Sequence, residues 1–125
     1  MRSRPVTLGF VFALTLAPAL AHAETIAPSD TPKHVGQSVT VEGVVSAVNS
    51  TDRSGVTFVD MGGRYPNNAF TAVILRDDAA KFPDVHALEG KTVDITGTVK
   101  LYKGKTEIML TDPAQIKAKD AAPAK

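Results

Sequence analysis

Residues 38–48, Ser-Val-Thr-Val-Glu-Gly-Val-Val-Ser-Ala-Val, decide the fold. Val39, Val41, Val45 and Ala47 alternate with Thr40, Glu42 and Ser46. A period of two is the mark of a strand with one buried face. Gly43 interrupts the run, and a glycine inside a long strand marks a bulge or a sharp bend. A long first strand bent in this way can serve both sheets of a small barrel.

Working outward from that strand, Asn49–Gly55 (NSTDRSG) is dense in turn formers. Val56–Met61 (VTFVDM) reads as a second strand, rich in β-branched and aromatic residues. Gly62–Asn68 (GGRYPNN) is a loop, and Phe70–Leu75 (FTAVIL) is a third strand whose apolar run predicts burial on both faces. Arg76–Leu88 holds the one expected helix, a turn or two long, with a further turn expected around Val85–Leu88. Asp77 or Asp78 is its candidate cap and Pro83 its stop. Thr92–Leu101 (TVDITGTVKL) alternates as a fourth strand. Tyr102–Lys105 (YKGK) is a hairpin turn centred on Gly104, and Thr106–Leu110 (TEIML) is a fifth strand. Asp112 and Pro113 have the N-cap and first-position chemistry of a last helical turn. The segment from Gly36 to Val45 also echoes that from Gly90 to Val99. We read the echo as two strands solving one bending problem.

The order β-β-β-(short helix)-β-β makes the chain all-β. It predicts a five-stranded Greek-key OB-fold barrel with a short helix between strands three and four. An SH3-like barrel is the alternative, and it does not readily place a helix there.

The N-terminus carries a separate signal. Arg2 and Arg4 precede an apolar run from Leu8 to Leu20, and Ala21-His22-Ala23 is a small-x-small cleavage pattern. Residues 1–23 therefore read as an export signal peptide. The run is too short for a membrane anchor, so no membrane span is expected after cleavage. The expected organisation is a flexible lead-in at 24–34, an OB-fold domain at 35–116 and a disordered tail at 117–125. The destination is the periplasm or the medium. Without cysteine, thiol chemistry and disulfides are excluded. The chain has 14 Lys and Arg against 13 Asp and Glu. Loss of Arg2 and Arg4 turns its net charge from +1 to −1. A strong global field for nucleic acid is thereby excluded, and only a local basic stripe can serve that purpose.

No catalytic pattern emerges. His34 and His86 have no partner at a recognisable spacing, Gly62-Gly63 leads into a strand instead of a helix, and Asp60, Asp94 and Glu107 read as solvated strand faces. The expectation is a non-enzyme without cofactor or metal site.

Three stretches, GQSVTVEGVVSAV (36–48), VTFVDMGGRYPNNAFTAVIL (56–75) and LEGKTVDITGTVKLYKGKTEIMLTDPAQI (88–116), resemble small exported bacterial OB-fold proteins. That group is related to nucleic-acid-binding OB domains of the tRNA-anticodon type. The resemblance spans Val35–Ile116 and is most distinctive at Gly62–Asn67 and Tyr102–Ile108. It implies single-stranded DNA or RNA as partner, with an envelope protein, peptide or oligosaccharide as the alternative.

In an OB-fold the ligand lies on strands two and three, between the loops joining strands one to two and four to five. That placement selects Arg53 from the first loop and Lys100, Tyr102, Lys103 and Lys105 around the last. Arg64 and Tyr65 in the second-to-third loop repeat the pairing of a cation with a ring, which single-stranded nucleic acid uses for phosphate contact and stacking. Phe58 and Phe70 are further candidate platforms if they point outward. Core packing is the competing role for Phe58 and for Phe70. Edge protection is the competing role for the hairpin lysines.

Overall fold

The computed structural model describes residues 23–119. Eight strands form one extended hydrogen-bonded system: β1 (Thr25–Ile26), β2 (Ser38–Ser50), β3 (Thr57–Met61), β4 (Phe70–Ile74), β5 (Thr92–Thr98), β6 (Lys100–Tyr102), β7 (Lys105–Met109) and β8 (Ile116–Ala118). Their order is β6-β7-β4-β3-β2-β5-β8, with β1 paired parallel to β2. The β4–β7 pair is also parallel, and the other pairs are antiparallel. The fold is all-β, as expected, with eight strands where five were predicted.

The three extra strands have identifiable causes. The predicted fourth strand breaks at Val99 into β5 and β6. Val99 donates its N–H to the Gln37 carbonyl and accepts from the Gly36 N–H, so it pairs with the chain entering β2. The next three residues swing round to pair with β7. β1 and β8 come from segments predicted to be unstructured. The 24–34 lead-in is ordered: β1 pairs with β2, and Pro28–His34 forms a 3-10 helix. Thr31 in that helix is fully buried, its hydroxyl 2.5 Å from that of Thr106 on β7. Of the 117–125 tail, Lys117 and Ala118 belong to β8, and Lys119 bridges Glu42 at 2.8 Å. The rest of that tail, and residues 1–22 of the signal segment, lie outside the described residues.

β2 spans thirteen residues, and its two halves have different partners. Ser38–Val44 pairs with β5, and Val45–Ser50 pairs with β3. The bulge falls between Val45 and Ala47, not at Gly43. Gly43 is needed for close approach instead: a Cβ there would lie 2.8 Å from the Pro28 ring. The sequence echo has a structural meaning as well. Its two copies are antiparallel partners, Val39 opposite Gly97 and Gly43 opposite Val93. Gly36 and Gly90, both at positive φ, hydrogen-bond to Val99 and Val45 respectively, each in the other copy's last position.

Between β4 and β5 lie two 3-10 helices, Arg76–Lys81 and Val85–Leu88. No aspartate side chain caps the first; Asp78 pairs with Lys81 at 2.8 Å. Asp112 does cap Pro113–Gln115, through a reciprocal capping box with Gln115. The core draws on the strands other than β6, with Val41, Val59, Met61, Phe70, Ile74, Ile95, Ile108 and Leu110 among its members. No helix among the described residues is long and apolar enough to cross a membrane.

Candidate functional site

Alternation on three adjacent strands builds one outward face. On β3, Val59 and Met61 enter the core, so Phe58 and Asp60 point the other way. On β4, Phe70, Ala72 and Ile74 face inward, leaving Thr71 and Val73. On β7, Ile108 is inward, leaving Lys105, Glu107 and Met109. Register aligns these residues in two rows across the sheet. One row runs Asn49, Phe58, Val73, Met109. The other runs Ala47, Asp60, Thr71, Glu107, Lys100.

Two loops rise beside this face. The 62–69 loop carries Tyr65, followed by a cis peptide to Pro66. The β6–β7 hairpin turns through Lys103 and Gly104, both at positive φ (50° and 81°). That is the type I′ geometry that matches strand twist. Lys103 is thus a non-glycine residue held in the left-handed region, where asparagine or glycine is the ordinary choice. The loops are tied together: the Lys105 ammonium donates to the Pro66 carbonyl and sits 5.7 Å from the centre of the Tyr65 ring. Lys103 lies 5.3 Å from the centre of the Tyr102 ring.

Between them is a groove of about 510 Å³, lined by Asn49, Phe58, Asp60, Tyr65, Thr71, Tyr102, Lys103, Lys105 and Glu107. Five of the eight residues selected from the sequence therefore converge: Phe58, Tyr65, Tyr102, Lys103 and Lys105. Three do not line it. Arg53 is exposed on the β2–β3 turn, Arg64 is exposed in its loop, and Lys100 lies at the end of its row opposite Glu107. Phe70, with 1% exposure, belongs wholly to the core.

Sequence reasoning missed the floor. Asp60 and Glu107 were read as solvated faces, yet Asp60 is 2% exposed and Glu107 is partly buried. The signal was present in VTFVDM and TEIML, because alternation puts Asp60 on the face of Phe58 and Glu107 opposite Ile108. Asp60 Oδ1 accepts from the Thr71 hydroxyl at 3.0 Å and from the Asn68 amide at 3.3 Å. Burial raises its carboxyl above the usual aspartate range, while the Thr71 hydrogen bond and the Lys105 charge pull it back. Burial raises Glu107 as well.

The sign of the consequence is definite. A carboxyl raised by folding holds its proton more tightly in the folded state, so stability falls as pH climbs from its unfolded value through its raised folded one. Those unfolded values are 3.8 for Asp60 and 4.5 for Glu107. Asp60→Asn keeps an acceptor for Thr71 and removes the buried charge. Its expected effect at neutral pH is a gain of roughly 0.5–1 kcal/mol, typical of relieving a site kept for binding. The gain should shrink as pH drops toward 4. Thermal unfolding of both proteins across that range checks it, and a pH-independent difference counts against the assignment.

A second, larger groove of about 670 Å³ lies on the β1, β2, β5 and β8 side, lined by Thr25, Ser38, Thr40, Asp94, Thr96, Asp112 and their neighbours. No aromatic residue lines it. The Thr40 and Thr96 hydroxyls satisfy each other at 2.8 Å. His86 and Ser50 also meet, at 3.0 Å, a contact that spacing did not suggest. Neither residue lines either groove.

No family model matches the chain, and no curated protein matches it. Solved structures do. OBody AM1L10 bound to hen egg-white lysozyme is similar with a TM-score of 0.58 and 23% identity, over 79% of this chain and 94% of that one. The aspartyl tRNA synthetase from Entamoeba histolytica is similar with a TM-score of 0.58 and 17% identity, over 85% of this chain. RecG bound to a three-way DNA junction is similar with a TM-score of 0.55 and 20% identity, over 78% of this chain. The chain spans only 23% of that synthetase, 13% of RecG and 22% of a putative aspartyl-tRNA synthetase from Leishmania major Friedlin. At these identities the likeness extends to the fold alone: this is an OB-type, all-β domain.

Proposed function

We propose that the protein is a non-catalytic OB-type binding module that takes single-stranded nucleic acid along the groove over β3, β4 and β7. The observation that carries this reading is the convergence of three aromatic rings, Phe58, Tyr65 and Tyr102, with two lysines in one open groove. Stacking on such rings contributes about 1–3 kcal/mol per base, and lysines at the rim meet phosphates. Lys103 adds weight, since a residue kept in a sparsely populated backbone region points to function more than to stability. The neighbours support it too: two are named as aspartyl-tRNA synthetases, and RecG is bound to DNA.

We read the strand system as a Greek-key barrel. The pairing path from β2 through β3, β4, β7 and β6 returns to β5 across the single residue Val99. We take residues 1–23 as the export signal, which sends the module to the periplasm or the medium. The non-catalytic assignment rests on the sequence offering no recognisable catalytic pattern, and the Ser50–His86 pair lines neither groove.

A second reading has its own support. The carboxylates on the floor and the net charge of −1 after signal loss suit an envelope protein, peptide or oligosaccharide, and the OBody neighbour is bound to a protein. Fluorescence anisotropy with labelled single-stranded DNA and RNA at several salt concentrations separates the two. Nucleic-acid binding should weaken with salt, with a log–log slope of about −1.4 if two lysines each displace counterions from a single strand. Lys103→Glu combined with Lys105→Glu should abolish it. No binding at low salt removes the nucleic-acid reading. Salt-insensitive capture of an envelope component, unaffected by the charge reversals, establishes the second.

A further inference from the structure

We infer that the groove selects among bases with its floor, taking those whose Watson–Crick edge offers an amino group (guanine, cytosine, adenine) over thymine and uracil. This rests on the nucleic-acid reading above and adds a specificity to it.

The groove sorts its polar groups by position. Its ammonium donors, Lys103 and Lys105, come from the hairpin, and Lys105 is already tied to Pro66 and the Tyr65 ring. On its floor, the row through Asp60, Thr71 and Glu107 offers acceptors, while the Asn49 carboxamide lies in the neighbouring row. Asp60 and Glu107 flank Thr71 in one cross-strand row. Two strand spacings separate their backbones, roughly 10 Å, so each carboxyl can serve its own base edge. Thr71 cannot supply a donor to a ligand, because its hydroxyl hydrogen is directed at Asp60 and it also accepts from Asn68 at 2.5 Å. Asp60 Oδ1 takes two hydrogen bonds within the protein, which leaves its other oxygen for the groove.

Stacking on Phe58, Tyr65 and Tyr102 cannot discriminate, because every base has a π-face. Discrimination falls to the edges. Thymine and uracil present two carbonyls around a single N–H, and those carbonyls would face carboxylate oxygens. Cytosine and adenine present an amino donor. Guanine presents two adjacent donors, N1–H and N2–H₂, which match the two oxygens of Glu107, whereas Asp60 has one oxygen to offer. Burial, which already raises both carboxyls, means that each has lost water that an amino group would replace.

The test compares oligo-dC with oligo-dT of equal length, two pyrimidines of similar size. Oligo-dT carrying isolated guanines is a third probe. The wild-type protein should prefer oligo-dC by roughly 5- to 100-fold, the range of one well-made edge contact. The guanine inserts should raise affinity over plain oligo-dT. Asp60→Asn and Glu107→Gln each place a carboxamide there, which can donate as well as accept. Each should narrow the ratio by strengthening oligo-dT binding, a gain that mere loss of structure cannot produce. Equal wild-type affinity for oligo-dC and oligo-dT overturns the inference and leaves the groove assignment standing. Failure of all three probes to bind at low salt overturns the groove assignment itself.

Discussion

Replacing both groove tyrosines, Tyr65→Ala together with Tyr102→Ala, should abolish single-stranded nucleic-acid binding without unfolding the protein. Each ring is available for one base, and stacking contributes about 1–3 kcal/mol per base, so the pair contributes about 2–6 kcal/mol. That corresponds to a loss of affinity from roughly 30-fold to beyond 10⁴-fold. The rings are 72% and 56% exposed, so their removal opens no core cavity. The unfolding midpoint should therefore stay close to wild type. Titration of one labelled oligonucleotide against both proteins, with a melting curve for each, provides the check. A double variant that binds as tightly as wild type would dismiss these rings as the platform.

Phe70→Ala should have the opposite profile. Phe70 is among the largest fully buried side chains, and it packs in the cluster with Val59, Met61 and Ile108. Truncating a buried phenylalanine costs about 3–5 kcal/mol in lost transfer energy and cavity. A domain of this size has a total stability of about 5–15 kcal/mol, so much of it would go. Since each kcal/mol shifts the midpoint by about 4–8 °C, the fall should exceed ~10 °C. Phe58→Ala is the control, because Phe58 is partly exposed on the groove side and is a stacking platform under the proposed function. It should melt far closer to wild type while weakening binding. If Phe58→Ala destabilises as much as Phe70→Ala, the two rings have been assigned to the wrong faces.

These two phenylalanines also mark how far the sequence could be read. Both sit in strands that were recognised correctly, yet core and groove remained open for each. Phe70 begins a run whose outward members, Thr71 and Val73, are also buried, so its own strand carries no alternation to orient it. Phe58 could have been oriented from Val59 and Met61, and the same pattern would have exposed Asp60 as its companion.

Most of the strand runs, the hairpin turn at Gly104 and the cap at Asp112 were legible because they depend on neighbours in the chain. Period-two alternation, glycine at positive φ and the aspartate–proline start of a turn are local physics. The placement of Tyr65 beside Tyr102 was not local. It needs β4 to pair in parallel with β7, which brings the 62–69 loop against a hairpin almost forty residues later, and it needs Lys105 to hold Pro66 across that gap. The order of 24–34 was illegible for the same reason. Its composition suits a loose leader, and only Thr31 meeting Thr106 and Pro28 meeting Gly43 bring it to rest on the fold.

By itself, then, the sequence determined that this is an all-β domain and where most of its strands run. Only the tertiary structure decided which five of eight candidate residues share a groove, and that a buried Asp60 and a half-buried Glu107 lie on its floor. Strand identity follows from short-range periodicity, whereas a groove is made by registers and loop contacts between residues far apart in the chain.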